Sequence, residues 1–229
     1  MNNINPIRHI KVFDPHVFGN KRVDIIGCGS TGSRIVMSLA KLGIENLHIW
    51  DFDIVEAHNI ANQIYQQDDI GKKKVDALAE HIKRATGLTI HTHPDKVDGT
   101  QKLGEIVFLL TDTMSSRKEI WEKGIRYQLS IKLMVETRMG SDNGRVYAIN
   151  PCKCSHTKAW EDTLHNDDIA EISACGASIS VGPTAEIVSG LAVWQFLRWF
   201  STEQREVDEL DQEILFSLRP MQTLMRQFI

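Results

Sequence analysis

The chain has 229 residues, 42% hydrophobic and 24% charged, enough to bury the core of one domain or of one large domain with an appendage. Its formal net charge of −4, with no long basic block and no interleaving of aromatic and basic residues, leaves no electrostatic footprint for nucleic acid. Four irregularly spaced cysteines fit free thiols in a reducing cytoplasm, and neither Met1 to Phe13 nor any later segment has the continuous apolar length of a signal peptide or membrane span.

Residues 1–229 read as a single domain in which 1–22 form an N-terminal arm. Val23-Asp24-Ile25-Ile26 is a short buried strand, and Gly27 to Ser33 turns into a helix ending near Gly43. Leu47-His48-Ile49-Trp50 is a second strand ending on Asp51 and Asp53, so the chain opens with a βαβ unit whose crossover is expected to be right-handed. From Lys72 to Ala85, apolar Val75, Leu78, Ala79 and Ile82 recur at helical spacing among charges, and Leu88 to His93 follows as a strand. Ile106 to Leu110 is continuously apolar, as a strand covered on both faces must be, and it runs into Thr111-Asp112. A helix is expected from Ser115 to about Leu129, then strands over Lys132 to Thr137 and Gly144 to Ile149. Asn150 to Ser173 lacks periodicity and reads as an irregular crossover loop covering a site. Pro183 opens a strongly apolar helix reaching Phe200, and 201–229 reads as an acidic stretch followed by a mixed tail. The order of elements predicts a doubly wound α/β fold with a mainly parallel sheet.

Gly27-Cys28-Gly29-Ser30-Thr31-Gly32 lies between the first strand and its helix, where backbone amides and the helix N-terminus can hold a phosphate. Asp51 ends the second strand, the place of an acceptor for ribose hydroxyls. These two features fit NAD as well as ATP, and on them alone a nicotinamide-dependent enzyme stays open. The residues beyond Asp53 favour ATP. A triphosphate needs more cationic donors than a dinucleotide, and the consecutive Lys72, Lys73 and Lys74 oppose the dipole of the helix they open unless an anion is near. A solvated basic face is the plain alternative for these lysines. Asp112 stands on the edge where ligands bind in open α/β sheets and suits Mg²⁺ bridging phosphates, unless it only caps the next helix, a role open to Thr113 or Ser115.

Taken together, Gly27-x-Gly29-x-x-Gly32, Asp51-x-Asp53, Asn59-x-x-x-Gln63, Gly71-Lys72-x-Lys74, Thr111-Asp112 with Arg117 beyond, and Cys175 ahead of Gly182-Pro183 form one pattern. It resembles the ThiF/MoeB/HesA superfamily of ubiquitin-activating-type adenylyltransferases, over roughly Val23 to Phe200. The resemblance implies that the glycine turn lies beside the nucleotide, that Asp51 binds its ribose, that Asn59 and Lys74 contact phosphates and that Asp112 holds Mg²⁺. Asp53, Asn62, Gln63 and Lys72 would complete the nucleotide site. The implied reaction is attack by a carboxylate on the α-phosphate of ATP, releasing pyrophosphate and leaving an acyl-adenylate. The implied substrate is the C-terminal carboxylate of a small ubiquitin-like or sulfur-carrier protein. A peptide substrate, and a non-catalytic partner subunit that keeps the fold, remain open. A homodimer is implied as well, and the apolar helix carrying Trp194 and Trp199 could serve as its interface.

Three departures from the family pattern matter. Where the family often has an arginine, this chain has Asn62, and Lys72, Lys73 or Arg8 reaching across from a second subunit would have to replace that cation. The family's Thr-Asp-Asn appears here as Thr111-Asp112-Thr113. The two Cys-x-x-Cys pairs of zinc-bearing relatives reduce to Cys152-x-Cys154, so no structural zinc is expected. Cys175 matches the position of the thiol in sulfur-carrier activating enzymes, and a reactive thiol and a small buried cysteine are both open there.

Overall fold

The computed structural model describes residues 4–167, 180–205 and 210–229. Its frame is an eight-stranded sheet ordered β3-β2-β1-β4-β5-β6-β7-β8. The strands are β1 (Val23–Ile26), β2 (Leu47–Trp50), β3 (His91–His93), β4 (Ile106–Leu109), β5 (Leu133–Met139), β6 (Asn143–Ile149), β7 (Glu213–Leu218) and β8 (Met221–Arg226). β1 to β5 pair in parallel, and β5 to β8 continue as an antiparallel meander. The helices are α1 (Pro15–Phe18), α2 (Ser30–Lys41), α3 (Lys74–Thr86), α4 (Met114–Ile120), α5 (Cys154–Glu161) and α6 (Gly182–Arg205).

Both faces of β4 are covered, which is why it is written as an unbroken apolar run rather than an alternating one. Ile106 and Phe108 of β4 join one cluster with Ile35 and Leu39 of α2 and Val188, Ala192 and Phe196 of α6. Val107 and Leu109 point the other way, toward Trp121, Trp160 and Ile149. The segment 1–22 is anchored through Phe13 and Phe18, both fully buried, whose rings pack at 4.8–6.1 Å on Phe196 and Phe200 of α6. On α6 itself Trp199 belongs to this core, whereas Trp194 is half exposed, so the two tryptophans divide between core and surface. Among the described residues no helix is long and apolar enough to cross a membrane.

The structure departs from the sequence reading in four places. The stretch Asn150 to Ser173 is not wholly irregular: α5 lies within it, pinned by Trp160, whose indole N–H donates to Glu136 at 3.2 Å. The acidic stretch and mixed tail contain a hairpin, β7 and β8, whose Ile214 and Phe216 turn into the core. Glu213 is tolerated in that strand because Arg145 and Arg226, on the strands either side of it, approach its carboxylate at 3.5 and 3.4 Å. The helix expected to reach Leu129 stops as α-helix at Ile120, continues as a π-helical turn over Trp121–Ile125, and is closed off by Tyr127 at φ 58°. The strand expected from Leu88 begins at His91.

Candidate active site

The C-terminal ends of β2, β1 and β4 lie side by side, and the glycine turn is wedged between the two outer ones. The Gly27 amide donates to the Trp50 carbonyl at 2.8 Å, and the Leu110 amide donates to the Ile26 carbonyl at 2.8 Å. Gly27 has φ 100°, and a Cβ there would stand 2.7 Å from the Leu110 carbonyl oxygen, so both conformation and space require glycine. A Cβ on Gly32 would collide with the Gly27 carbonyl, so this glycine lets α2 start hard against β1. Gly29 is the opposite case. A Cβ there would meet nothing within 4 Å, leaving open space above bare backbone at the head of α2, where an anion can come close.

Asp51 locks the turn to β2: its carboxylate accepts the amides of Cys28 at 2.7 Å and Asp53 at 2.9 Å. Burial pushes its pKa up, opposed by Lys74 and by those two amides. Lys74, the first residue of α3, is buried, and its Nζ meets the Asp53 carboxylate at 2.7 Å. The Tyr65 hydroxyl donates to the Cys28 carbonyl at 2.8 Å and the Lys74 carbonyl at 3.4 Å. Burial raises its pKa, keeping it a protonated donor. Glycine turn, β2 carboxylates and the head of α3 are therefore one hydrogen-bonded unit. Cys28 is buried within it, and its thiol is pushed well above the ordinary range by burial and by Asp51, which suits packing and not nucleophilic work.

A strap crosses beside this unit. Its 3₁₀ turn Ala57–Ala61 holds Asn59, whose side-chain oxygen accepts the Glu56 amide at 2.9 Å and whose carbonyl accepts the Gln63 amide at 2.9 Å. The carbonyl of Asn62 accepts Ser30 Oγ and Arg34 Nη1, each at 2.7 Å, and its Nδ2 donates to the Ser180 carbonyl at 3.2 Å. Among the described residues, the buried oxygens Asn62 Oδ1 and Gln63 Oε1 of the strap and Thr111 Oγ1 beyond β4 have no hydrogen-bond partner.

On the β4 side Asp112 is exposed, and Thr113 caps α4 by accepting the Ser116 amide at 3.3 Å. The capping alternative for Asp112 therefore falls to its neighbour, leaving a carboxylate suited to a hard divalent cation. Asp167 adds a second acid here, accepting the amides of Met114 and Ser115. Arg117 is buried, meets Glu136 at 3.3 Å and donates to the Thr111 and Thr137 carbonyls, bracing the Thr111-Asp112 step from behind.

Of the residues singled out in the sequence, Gly27, Gly29, Gly32, Asp51, Asp53, Asn59, Asn62, Gln63, Lys74 and Asp112 stand on this edge or on the strap beside it. Lys72 turns aside, its ammonium on Asp69 at 3.2 Å and Glu80 at 2.8 Å. Arg8 lies exposed in the 3₁₀ turn Pro6–Arg8, and Cys175 falls outside the described residues. Among the described residues no three His, Cys, Asp or Glu side chains gather into a metal-binding group. Sequence reasoning missed Tyr65 and Arg34. Tyr65 carries no motif, and Arg34 sits at an ordinary helix position, so only the packing of the strap reveals either.

Known proteins resemble this chain in sequence and in fold. The NEDD8-activating enzyme E1 catalytic subunit of Dictyostelium discoideum is 28% identical over 116 residues, covering 48% of this chain and 26% of that protein. The adenylyltransferase and sulfurtransferase MOCS3 of Caenorhabditis briggsae is 29% identical over 105 residues, covering 43% of this chain and 26% of that protein. The crystal structure of E. coli MccB with ATP superposes with a TM-score of 0.69 at 14% identity, covering 93% of this chain and 65% of the other. This chain thus spans about a quarter of the length of those curated relatives. The pattern that defines the ThiF family matches residues 6–226, and with a glycine turn locked between two carboxylate-bearing strand ends, the chain belongs to the ThiF family.

Proposed function

We propose that this chain is an ATP-dependent adenylyltransferase that activates the C-terminal carboxylate of a small ubiquitin-like or sulfur-carrier protein. The observation that carries the reading is the wedge itself: an open Gly29, with Asp51, Lys74 and Asp112 all on the same sheet edge. In this reading Asp51 accepts a ribose hydroxyl while its amide bonds hold the turn. Lys74 and Asn59 bind phosphate, and the Asp53 pair fixes the Lys74 ammonium in place until then. Asp112 holds Mg²⁺, which when bound neutralises charge on the phosphate oxygens. A carboxylate is a poor electrophile until one oxygen becomes a good leaving group. Its attack on the α-phosphorus, with departure of pyrophosphate, achieves that, and fixed cations aimed at the developing charge lower the barrier.

A peptide carboxylate is the second reading, supported by the similarity to MccB, which has been crystallised with MccA. We further propose a homodimer in which Ile187, Leu191 and Trp194 of α6 meet a second copy, since Ile187 and Trp194 are exposed one helical face apart from the core. The free thiols Cys28, Cys152 and Cys154 suit a cytoplasmic setting.

Pyrophosphate release in the presence of MgATP and a carrier protein with a free C-terminal glycine tests the activity. Release should depend on the tail carboxylate and drop by about a hundredfold or more in Asp112→Ala. Release that survives amidation of the tail, or wild-type turnover in Asp112→Ala, would sink the assignment.

A further inference from the structure

A metal-bound triphosphate needs charge-assisted donors, and the cations on the elements that frame the crevice differ in how far they are already neutralised. Lys72 is spent on Asp69 and Glu80 and Arg117 on Glu136, Lys74 is the phosphate ligand of the reading above, held meanwhile by Asp53, and Lys73 is exposed to solvent. Arg34 is different. It projects from the second turn of α2 with its side chain only 15% exposed, and its Nη1 lies 2.7 Å from the carbonyl oxygens of both Ser30 and Asn62. Those oxygens satisfy donors but carry no formal charge. Among the described residues the carboxylate it meets is that of Glu186, at a loose 3.6 Å and itself 71% exposed. A largely buried guanidinium with so weak a counterion is costly unless an anion joins it. Its position ties the first residue of α2 to the strap residue Asn62, whose own side chain brings no charge.

We propose that Arg34 is a phosphate-binding residue of the nucleotide site, delivering from α2 the positive charge that position 62 lacks. The inference rests on the nucleotide reading above and adds to it the source of a cation within the same chain. The Nη1 of Arg34 is held by two carbonyls before any ligand arrives, so little side-chain entropy is lost on binding. The plain alternative is that Arg34 only pins the strap to α2.

Calorimetric titration of the full chain with the Mg²⁺ complex of a non-hydrolysable ATP analogue, and separately with AMP, distinguishes the two. Arg34→Gln should weaken the triphosphate by about tenfold to a hundredfold and leave AMP within about threefold, because the charge-assisted bonds act on the outer phosphates. Adding Asn62→Arg to Arg34→Gln should restore most of the loss, a rescue that a purely structural tie would not give. Equal weakening of both nucleotides, or no weakening, overturns the proposal. If Arg34→Gln does not fold, Arg34→Lys keeps the charge without the fork, and its loss should again be confined to the triphosphate, by about threefold to tenfold. Equal losses there overturn the proposal too. A wild-type chain that binds neither nucleotide would defeat the function itself, whereas wild-type binding without a triphosphate-selective loss defeats only the role of Arg34.

Discussion

Single residues carry the sharpest consequences. Gly32 has no room for a Cβ because the Gly27 carbonyl occupies that space, so Gly32→Ala must push α2 away from β1. We expect it to cost more than about 2 kcal/mol in urea unfolding, a backbone clash being among the few causes of large single-site losses. Two histidines give the molecule a pH signature. Burial and the nearby Arg22 lower the pKa of His48 from 6.5 to about 4, and burial together with Lys153 lowers that of His156 from 6.5 to about 4. His156 Nδ1 accepts the Asn150 amide at 3.2 Å, a bond that exists only while that nitrogen is unprotonated. Between the two pKa values the unfolded chain binds more protons than the folded one. Their contribution is therefore complete above about pH 6.5 and is lost as pH falls toward 4. Unfolding free energies from pH 7 to 4 should decline in the wild type and decline less steeply in a His48→Gln, His156→Gln double variant.

At the scale of elements, the sheet edge that carries the glycine turn holds together as a unit because loops of distant sequence share hydrogen bonds. Tyr65 is the clearest case, its hydroxyl joining the glycine turn after β1 to the first residue of α3. Tyr65→Phe removes the donor of the buried Cys28 carbonyl, and a loss of about 1–3 kcal/mol is expected from denaturant unfolding. With Lys74 less firmly placed, MgATP affinity should fall as well. Unchanged affinity in a destabilised variant would separate stability from positioning. The β7–β8 hairpin follows the same logic: its acid is acceptable in a strand only because arginines from flanking strands meet it.

For the whole molecule, the open question of scale is assembly. Trp194 is half exposed on a helix whose opposite side, with Phe196 and Phe200, holds the N-terminal segment in place. If that face joins two copies, Trp194→Glu should convert a dimer to a monomer in light scattering while leaving the far-ultraviolet circular dichroism unchanged. A wild-type chain that is monomeric at tens of micromolar would refute the proposed dimer.

What the sequence by itself determined is everything written in local signals: β4 as an apolar run, β1 and β2 as short strands before their turns, α2, α3 and α6 as periodic or capped helices, the glycine turn, and the acids that end β2 and the β4 edge. These were legible because each depends on neighbours a few residues away. Tertiary structure alone decided the rest. α5 and the β7–β8 hairpin form because Trp160, Ile214 and Phe216 find burial against strands far along the chain. Lys72 turned to Asp69 and Glu80, Thr113 and not Asp112 took the cap of α4, and Trp199 and Trp194 parted between core and surface. Arg34 met the strap and Tyr65 the glycine turn for the same reason. A side chain's partner is chosen by the packing of separate elements, and spacing along one strand or helix carries no record of that choice.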